Sequence, residues 1–267
     1  MQTNFHTHTW RCKHAEGDIG EYCRAAIAQG YSALGFSDHA PLPDNRWLHV
    51  RMTADMAPHY LAAIDASKKV FTDLHLLKGF ECEYDDVYVN WFRDELLGTM
   101  GAEYLVAGCH WFPHHGEWLD LYGRPMQRNE LMSYAEYCVE AMESGLFAFL
   151  AHPDAFGLAY PEWDSRAAEC ARIIAEAAAA FNVALEINAS GFRKRPVVMP
   201  DGKLRTGYPW LPFWEVVAEN KVKVVICSDA HIPDEMHIGM REAHEMAEQL
   251  KLEITHLPHL WQKQQTA

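Results

Sequence analysis

The sequence predicts a parallel α/β barrel, on three observations. Short β-branched or apolar runs alternate with helical stretches seven times from one end to the other, and such alternation favours a parallel sheet with helices outside it. The chain has 267 residues, which suits a closed barrel better than an open doubly wound sheet. No Gly/Ser linker or break in composition divides it, so residues 1–267 read as a single domain.

The elements follow in order. The expected strand Thr3–His6 leads to a helix over Ile19–Gln29, and Ala33–Ser37 leads to one over Met56–Phe71. His75–Glu81 precedes the periodic segment Val87–Leu97, and Tyr104–Cys109 precedes Asn129–Ser144. Ala148–Ala151 is followed by Ser165–Ala180, the clearest helix, because almost every residue of Arg166–Ala180 is a good helix former. Ala184–Ile187 pairs with the helix Leu211–Glu219, and Val222–Cys227 with Asp234–Leu250. The longest irregular stretches are Ala40–Thr53, Trp111–Gln127 and Gly191–Pro209. Loops of that length inside a compact domain usually serve function.

Composition narrows the class. Hydrophobic residues at 49% and charged residues at 22% are an ordinary globular balance and argue against disorder. The net charge of −14 disfavours a broad nucleic-acid surface, which needs a basic face. No apolar run approaches the roughly 20 residues that cross a bilayer, so no membrane partner is expected. The start, Met-Gln-Thr-Asn-Phe-His, lacks the basic and apolar regions of a signal peptide. Seven cysteines, an odd number with no Cys-x-x-Cys spacing, read as small packing residues in a reducing compartment, and a cytoplasmic location is expected.

The sixteen histidines are the anomaly. His6 and His8 end the first strand, Asp38 and His39 the second, and Glu81 and Glu83 the third. His110 ends the fourth and His152 the fifth, Glu186 lies in the sixth, and Asp229 with His231 end the seventh. A barrel brings all strand carboxyl ends to one face, where active sites are built. Side chains at i and i+2 share a strand face, so His6-Thr-His8 and Asp229-Ala-His231 each present a pair. His14 follows in a loop short enough to curl over the mouth. Either pair alone is ordinary; recurrence at strand end after strand end is not. Imidazole with carboxylate and no thiolate suits zinc, iron or manganese. His114 and His115 could line the pocket, whereas His49, His59, His75, His237, His244, His256 and His259 read as structural or solvated.

These residues resemble a known family. His6-Thr-His8-Thr, His14, Phe36-Ser37-Asp38-His39, Gly79-Phe80-Glu81, Gly108-Cys109-His110, Ala151-His152-Pro153-Asp154 and Ser228-Asp229-Ala230-His231 are similar, in order, to the motifs of the polymerase and histidinol phosphatase (PHP) superfamily. The resemblance implies a distorted seven-stranded, TIM-like barrel with up to three divalent ions (zinc, manganese or iron) at its mouth. It implies His6, His8, Glu81 and Asp229 on one ion, and Glu81 as a bridge with His110 and His152 on a second. His14, His39 and His231 would hold the third. Glu83 shares a strand face with Glu81 and competes for the bridging place.

Within the superfamily, Phe36-Ser37-Asp38-His39-Ala40-Pro41-Leu42-Pro43 and Leu185-Glu186-Ile187-Asn188-Ala189-Ser190-Gly191-Phe192-Arg193-Lys194 look like histidinol-phosphate phosphatases. The expected substrate is therefore a small phosphorylated metabolite, L-histidinol phosphate, hydrolysed in line by a metal-bridging hydroxide without a covalent intermediate. The alternatives are a broader phosphoesterase for nucleotides or sugar phosphates, and a non-catalytic metal-binding protein. Arg193 is the expected phosphate clamp because guanidinium binds phosphate bidentately, with Lys194 as a point charge and Arg124 as a further candidate. Asp38 is expected to act as general acid or to orient a ligand. Asp154 and Glu186 are expected to hold ligands in register, and Asp44, Glu117 and Asp120 to meet the substrate's ammonium.

Overall fold

The computed structural model describes residues 2–257 and residue 260. Twelve strands form among them: β1 (Thr3–Asn4), β2 (Ala33–Phe36), β3 (His75–Glu83), β4 (Tyr104–Gly108), β5 (Trp111–His114), β6 (Glu117–Asp120), β7 (Phe149–Leu150), β8 (Ala184–Asn188), β9 (Val197–Val198), β10 (Leu204–Arg205), β11 (Lys223–Cys227) and β12 (Glu253–Ile254). Eight of them make one parallel sheet in the order β1-β2-β3-β4-β7-β8-β11-β12, which follows the chain. All seven expected strands are in it.

The eighth strand is a correction to the seven expected. β12 lies against the foot of β11, with Lys223 opposite Glu253, and beyond it Thr3 Oγ1 of β1 lies 3.0 Å from His256 Nδ1. At the other end the curled sheet is joined directly. Thr7 bridges Ala230, His8 N donates to Ala230 O at 2.9 Å, and the Asn4 amide donates to Ser228 Oγ at 2.6 Å. The distortion is therefore a wedge: a short strand fills the foot, while the mouth is pulled shut.

Six α-helices among the described residues cover the sheet: α1 (Ile19–Ala28), α2 (Ala57–Val70), α3 (Glu130–Glu143), α4 (Ser165–Phe181), α5 (Leu211–Glu219) and α6 (Met240–Gln249). α1 starts on a capping box, in which Asp18 and Glu21 satisfy each other's backbone donors. The segment expected as a helix over Val87–Leu97 forms a 3-10 turn at Asp86–Tyr88 and a π-helix over Trp91–Thr99, with Met100 N reaching back to Glu95 O. The last expected helix is split. A 3-10 turn, Pro233–His237, precedes Gly239, whose φ of +84° favours glycine and redirects the chain into α6. The irregular stretches after β4 and β8 hold the hairpins β5–β6 and β9–β10.

Inside the barrel, Phe5, Leu77, Tyr104, Val106, Phe149, Ala184, Val225 and Cys227 form a buried apolar plug. The inward faces of the strands then change character toward their carboxyl ends. Leu77 is followed on its face by Glu81 and Glu83, Ala184 by Glu186 and Asn188, and Val225 by Asp229. A dry base thus supports a polar mouth.

Candidate metal centre

Glu81, at the end of the longest strand, sits at the centre of the mouth and is 1% exposed. Its Oε1 lies 3.1 Å from His152 Nε2 and 3.5 Å from His110 Nε2. Its Oε2 lies 3.4 Å from both His6 Nε2 and His8 Nε2, and 3.1 Å from His39 Nδ1. Asp229 Oδ1 approaches His8 Nε2 at 3.2 Å and His6 Nε2 at 3.6 Å. Gly108 makes room, because a Cβ there would stand 2.9 Å from Glu81 Oε1. Two of the contributing residues carry left-handed backbone, His152 at φ 30° and Asp229 at φ 47°. Such conformations in non-glycine residues cost about 1–3 kcal/mol and concentrate at functional sites.

Neighbouring groups aim the rings. His6 Nδ1 faces Glu186 Oε1 at 2.8 Å, so its Nε2 lone pair points into the cluster. His110 Nδ1 lies 2.5 Å from Glu83 Oε1, which leaves Nε2 toward Glu81. His14 Nδ1 faces Cys12 O at 2.8 Å and His231 Nδ1 faces Asp229 O at 3.1 Å. Their Nε2 atoms then meet at 3.1 Å, as those of His6 and His8 meet at 3.0 Å. Glu81 and Glu83 are thus separated in role: Glu81 enters the cluster and Glu83 orients His110.

The donor set fits divalent cations. Glu81 Oε2 and Asp229 Oδ1 are buried acceptors that receive no hydrogen bond, and buried polar atoms ordinarily have partners. The Nε2 atoms of His6 and His8 face both oxygens, and the Nδ1 of His6 is already committed to Glu186. Groups with ligand atoms mutually within 4.8 Å include His6–His8–Glu81, His39–Glu81–His110 and His8–His39–His231. All nine sequence-derived ligands, His6, His8, His14, His39, Glu81, His110, His152, Asp229 and His231, gather at this one mouth: six imidazoles touch Glu81 or Asp229 directly and His14 joins through His231.

Protonation divides the rings. Burial works against a proton on His6, but Glu186, Asp229 and Glu81 outweigh it and hold its pKa well above 6.5. Burial likewise opposes His110, yet Glu81 and Glu83 raise it to about 9. Burial keeps His8 below the ordinary value and His39 well below it. For His6 and His110 the folded pKa exceeds the unfolded one, so their stabilisation is complete below about pH 6.5 and lost as pH rises toward 9. His8, His39, His14 and His231 are shifted the other way and take up protons on unfolding near pH 6.5, so metal-free protein is expected to lose stability only above about pH 7.5, toward pH 9. Saturating zinc, which replaces the protons of His6 and His110, is expected to remove that slope. Denaturation midpoints with and without chelator check this, and parallel profiles would contradict it.

The substrate-side expectations fare differently. The mouth opens into a cavity of about 410 Å³, whose wall includes Trp111, Tyr122, Arg193, Lys194, Tyr208 and Glu235. Lys194 is on that wall. Arg193 is too, but its guanidinium is committed: Nη2 donates to Ser228 O and Asp229 O at 2.9 and 3.0 Å, and Nη1 to Ile238 O at 3.1 Å. A bidentate phosphate clamp would break those bonds, so Arg193 ties down the loop that carries Asp229 and His231. Arg124 lies off the cavity and pairs with Glu130 at 2.8 Å.

Asp38 is also not in the cavity. It is fully buried behind His8, and its oxygens accept from Thr9 N and Thr9 Oγ1 at 2.8 and 2.7 Å. Burial raises it to about 7. Asp38 thus fixes the backbone beside His8 through Thr9 and makes no hydrogen bond to a ligand ring among the described residues. Asp154 accepts from Trp210 N and Trp214 Nε1, anchoring the start of α5 and touching no ligand. Glu186 does orient His6, and also accepts from His152 N at 3.0 Å. Asp44, Glu117, Asp120, His114 and His115 are not among the lining residues, and His114 Nδ1 instead meets Ser133 Oγ at 2.9 Å. His259 lies outside the described residues. Sequence reasoning missed Glu235 and Tyr208, which reach the wall from a 3-10 turn and a loop without strand register.

Fold and site together define a barrel enzyme of the divalent-metal class. The chain belongs to the PHP domain family, whose model matches residues 4–190. It is 30% identical over 248 residues to a Deinococcus radiodurans protein named "Probable histidinol-phosphatase", covering 89% of this chain and 88% of that one. A Schizosaccharomyces pombe protein of the same name is 22% identical over 267 residues, covering 90% and 83%. Among solved structures, a histidinol phosphate phosphatase from Lactococcus lactis, complexed with zinc, L-histidinol and phosphate, shares the fold with a TM-score of 0.71, 17% identity and 95% coverage of both chains.

Proposed function

We propose that this protein is a metal-dependent phosphoric monoester hydrolase that converts L-histidinol phosphate to histidinol and phosphate. The observation that carries the reading is Glu81: a buried carboxylate whose two oxygens address imidazoles from four different strand ends. We assign His6, His8, Glu81 and Asp229 to one ion, Glu81, His110 and His152 to a second, and His14, His39 and His231 to a third, with zinc, manganese or iron as the candidates. Such ions, when bound, neutralise charge on phosphoryl oxygens and lower the pKa of coordinated water to about 7.

The chain's own residues supply the rest. Lys194 offers the cavity a mobile cation for a phosphate oxygen. Arg193 holds the Asp229–His231 loop through its backbone carbonyls. A cavity of about 410 Å³ suits a small metabolite, the size range of ordinary ligand pockets. We read residues 1–267 as one catalytic domain, since Asp229, His231 and Glu235 lie beyond the matched span yet line the same cavity as His8 and Glu81. We place the protein in the cytoplasm with a small phosphorylated metabolite as its partner, since a net charge of −14 disfavours a nucleic-acid face. No described helix is long and apolar enough to cross a membrane.

A phosphatase screen tests this. Histidinol phosphate, several nucleotides and a sugar phosphate would be compared with and without manganese or zinc. Metal-stimulated turnover preferring histidinol phosphate by at least roughly tenfold in kcat/KM is expected. Equal turnover of all the esters would favour a broad phosphoesterase, and metal binding without turnover a non-catalytic protein.

A further inference from the structure

Among the described residues three acids line the cavity, Glu81, Asp229 and Glu235, and of these Glu235 is the one not assigned to an ion. It lies on the Pro233–His237 turn between β11 and α6. Its Oε2 accepts from His231 N at 3.4 Å and lies 3.6 Å from Arg193 Nε, and its side chain is 29% exposed. Those two contacts fix the carboxylate. Oε1 makes no hydrogen bond to a described residue and is free to meet a ligand.

The position matters because of the reach it sets. Glu235 touches the backbone of His231, a residue proposed to hold the third ion, so it reaches the wall beside the ion that a phosphate oxygen would meet. Lys194, on the same wall, carries the opposite charge. A substrate that matches both has a phosphate and, a short distance along, a cation. In an amino alcohol phosphate the ammonium is on the carbon next to the one bearing the ester oxygen, which meets that requirement.

We propose that Glu235 is a specificity-determining residue, accepting the ammonium of the substrate's organic half on Oε1. This rests on the reading that the substrate is an amino alcohol phosphate. Arg193 then has a second duty, since it braces the Glu235 carboxylate as well as the Asp229 loop. The pairing is selective: a neutral or anionic leaving group gains nothing from Glu235, and an anionic one is repelled by it.

The test uses metal-loaded enzyme and two esters, L-histidinol phosphate and its des-amino analogue, 3-(imidazol-4-yl)propyl phosphate. Wild-type protein is expected to prefer the amine-bearing ester by roughly tenfold or more in kcat/KM, as for a charge-assisted hydrogen bond. Glu235→Gln is expected to reduce that preference to within about threefold, and Glu235→Asp to keep part of it. The comparison is a ratio, so general losses of metal or fold cancel, and a coupling between residue and ammonium is isolated. A full preference retained in Glu235→Gln overturns the proposal. So does a wild-type protein that hydrolyses both esters equally, with the phosphatase reading left intact. Turnover of neither ester would remove the substrate reading and this proposal with it.

Discussion

Replacing Glu81 with Gln is expected to lower kcat by at least about a thousandfold while leaving the circular dichroism spectrum unchanged. The size follows from position. Removing one preorganised charge-stabilising group from an active site commonly costs about a hundred- to a thousandfold, and Glu81 serves two proposed ions at once. Gln keeps the volume and one acceptor oxygen but replaces the other with a donor, which would face His6, His8 and His39 or His110 and His152. Glu83→Gln is the matched control on the same strand face. It loses the charge that aims His110 but keeps an acceptor for Nδ1, so a reduction of roughly ten- to a hundredfold is expected. Steady-state kinetics at saturating manganese measure both. Near-normal turnover in Glu81→Gln would remove it from the centre, and a larger loss in Glu83→Gln would reverse the two roles.

That distinction marks how far the sequence could be read. The seven main strands were legible because a strand's inward face repeats every second residue, and in β3, β8 and β11 that face passes from apolar to acidic. The ligands were legible for the same reason: they cap those faces. Glu81 and Glu83 share a phase, so periodicity alone could not rank them; the His110 ring, held from the neighbouring strand end, does. β12 has two residues, too few to show a period. β5 carries Pro113 among aromatic residues, which disguises a hairpin as a loop.

The substrate side was less legible, because it depends on where loops pass and what their backbones need. Arg193 reads as a phosphate ligand until three carbonyls claim its donors. Arg124 finds Glu130 six residues on, across a turn. Glu235 sits in Pro-Asp-Glu-Met-His, a stretch indistinguishable from the solvated start of a helix. Only the break at Gly239 separates that turn from α6 and sets the carboxylate against His231.

Loading the stripped protein with divalent ions is expected to raise its Tm by about ten degrees or more. An ion present at a thousandfold its Kd contributes about 4 kcal/mol when it binds only the folded state, and for a chain of this size each kcal/mol moves Tm by roughly 2–4 °C. The energy has a visible source in the mouth. Glu81 Oε2 and Asp229 Oδ1 are buried without donors, and the Nε2 atoms of His6 and His8 face each other at 3.0 Å. A cation among them gives the two unpaired oxygens and the facing ring nitrogens a common partner. The three proposed ions should not be equal. The first two would draw on the carboxylates Glu81 and Asp229, whereas the third would rest on imidazoles alone, of which His39 is buried but His14 is exposed. Titration with a weak chelator is therefore expected to remove one ion with a small fall in Tm before the other two leave together with most of the gain. Thermal melts paired with metal analysis at each step follow both quantities. A Tm indifferent to added ion, or a large fall accompanying the first ion lost, would contradict the assignment of the carboxylate-held pair to Glu81.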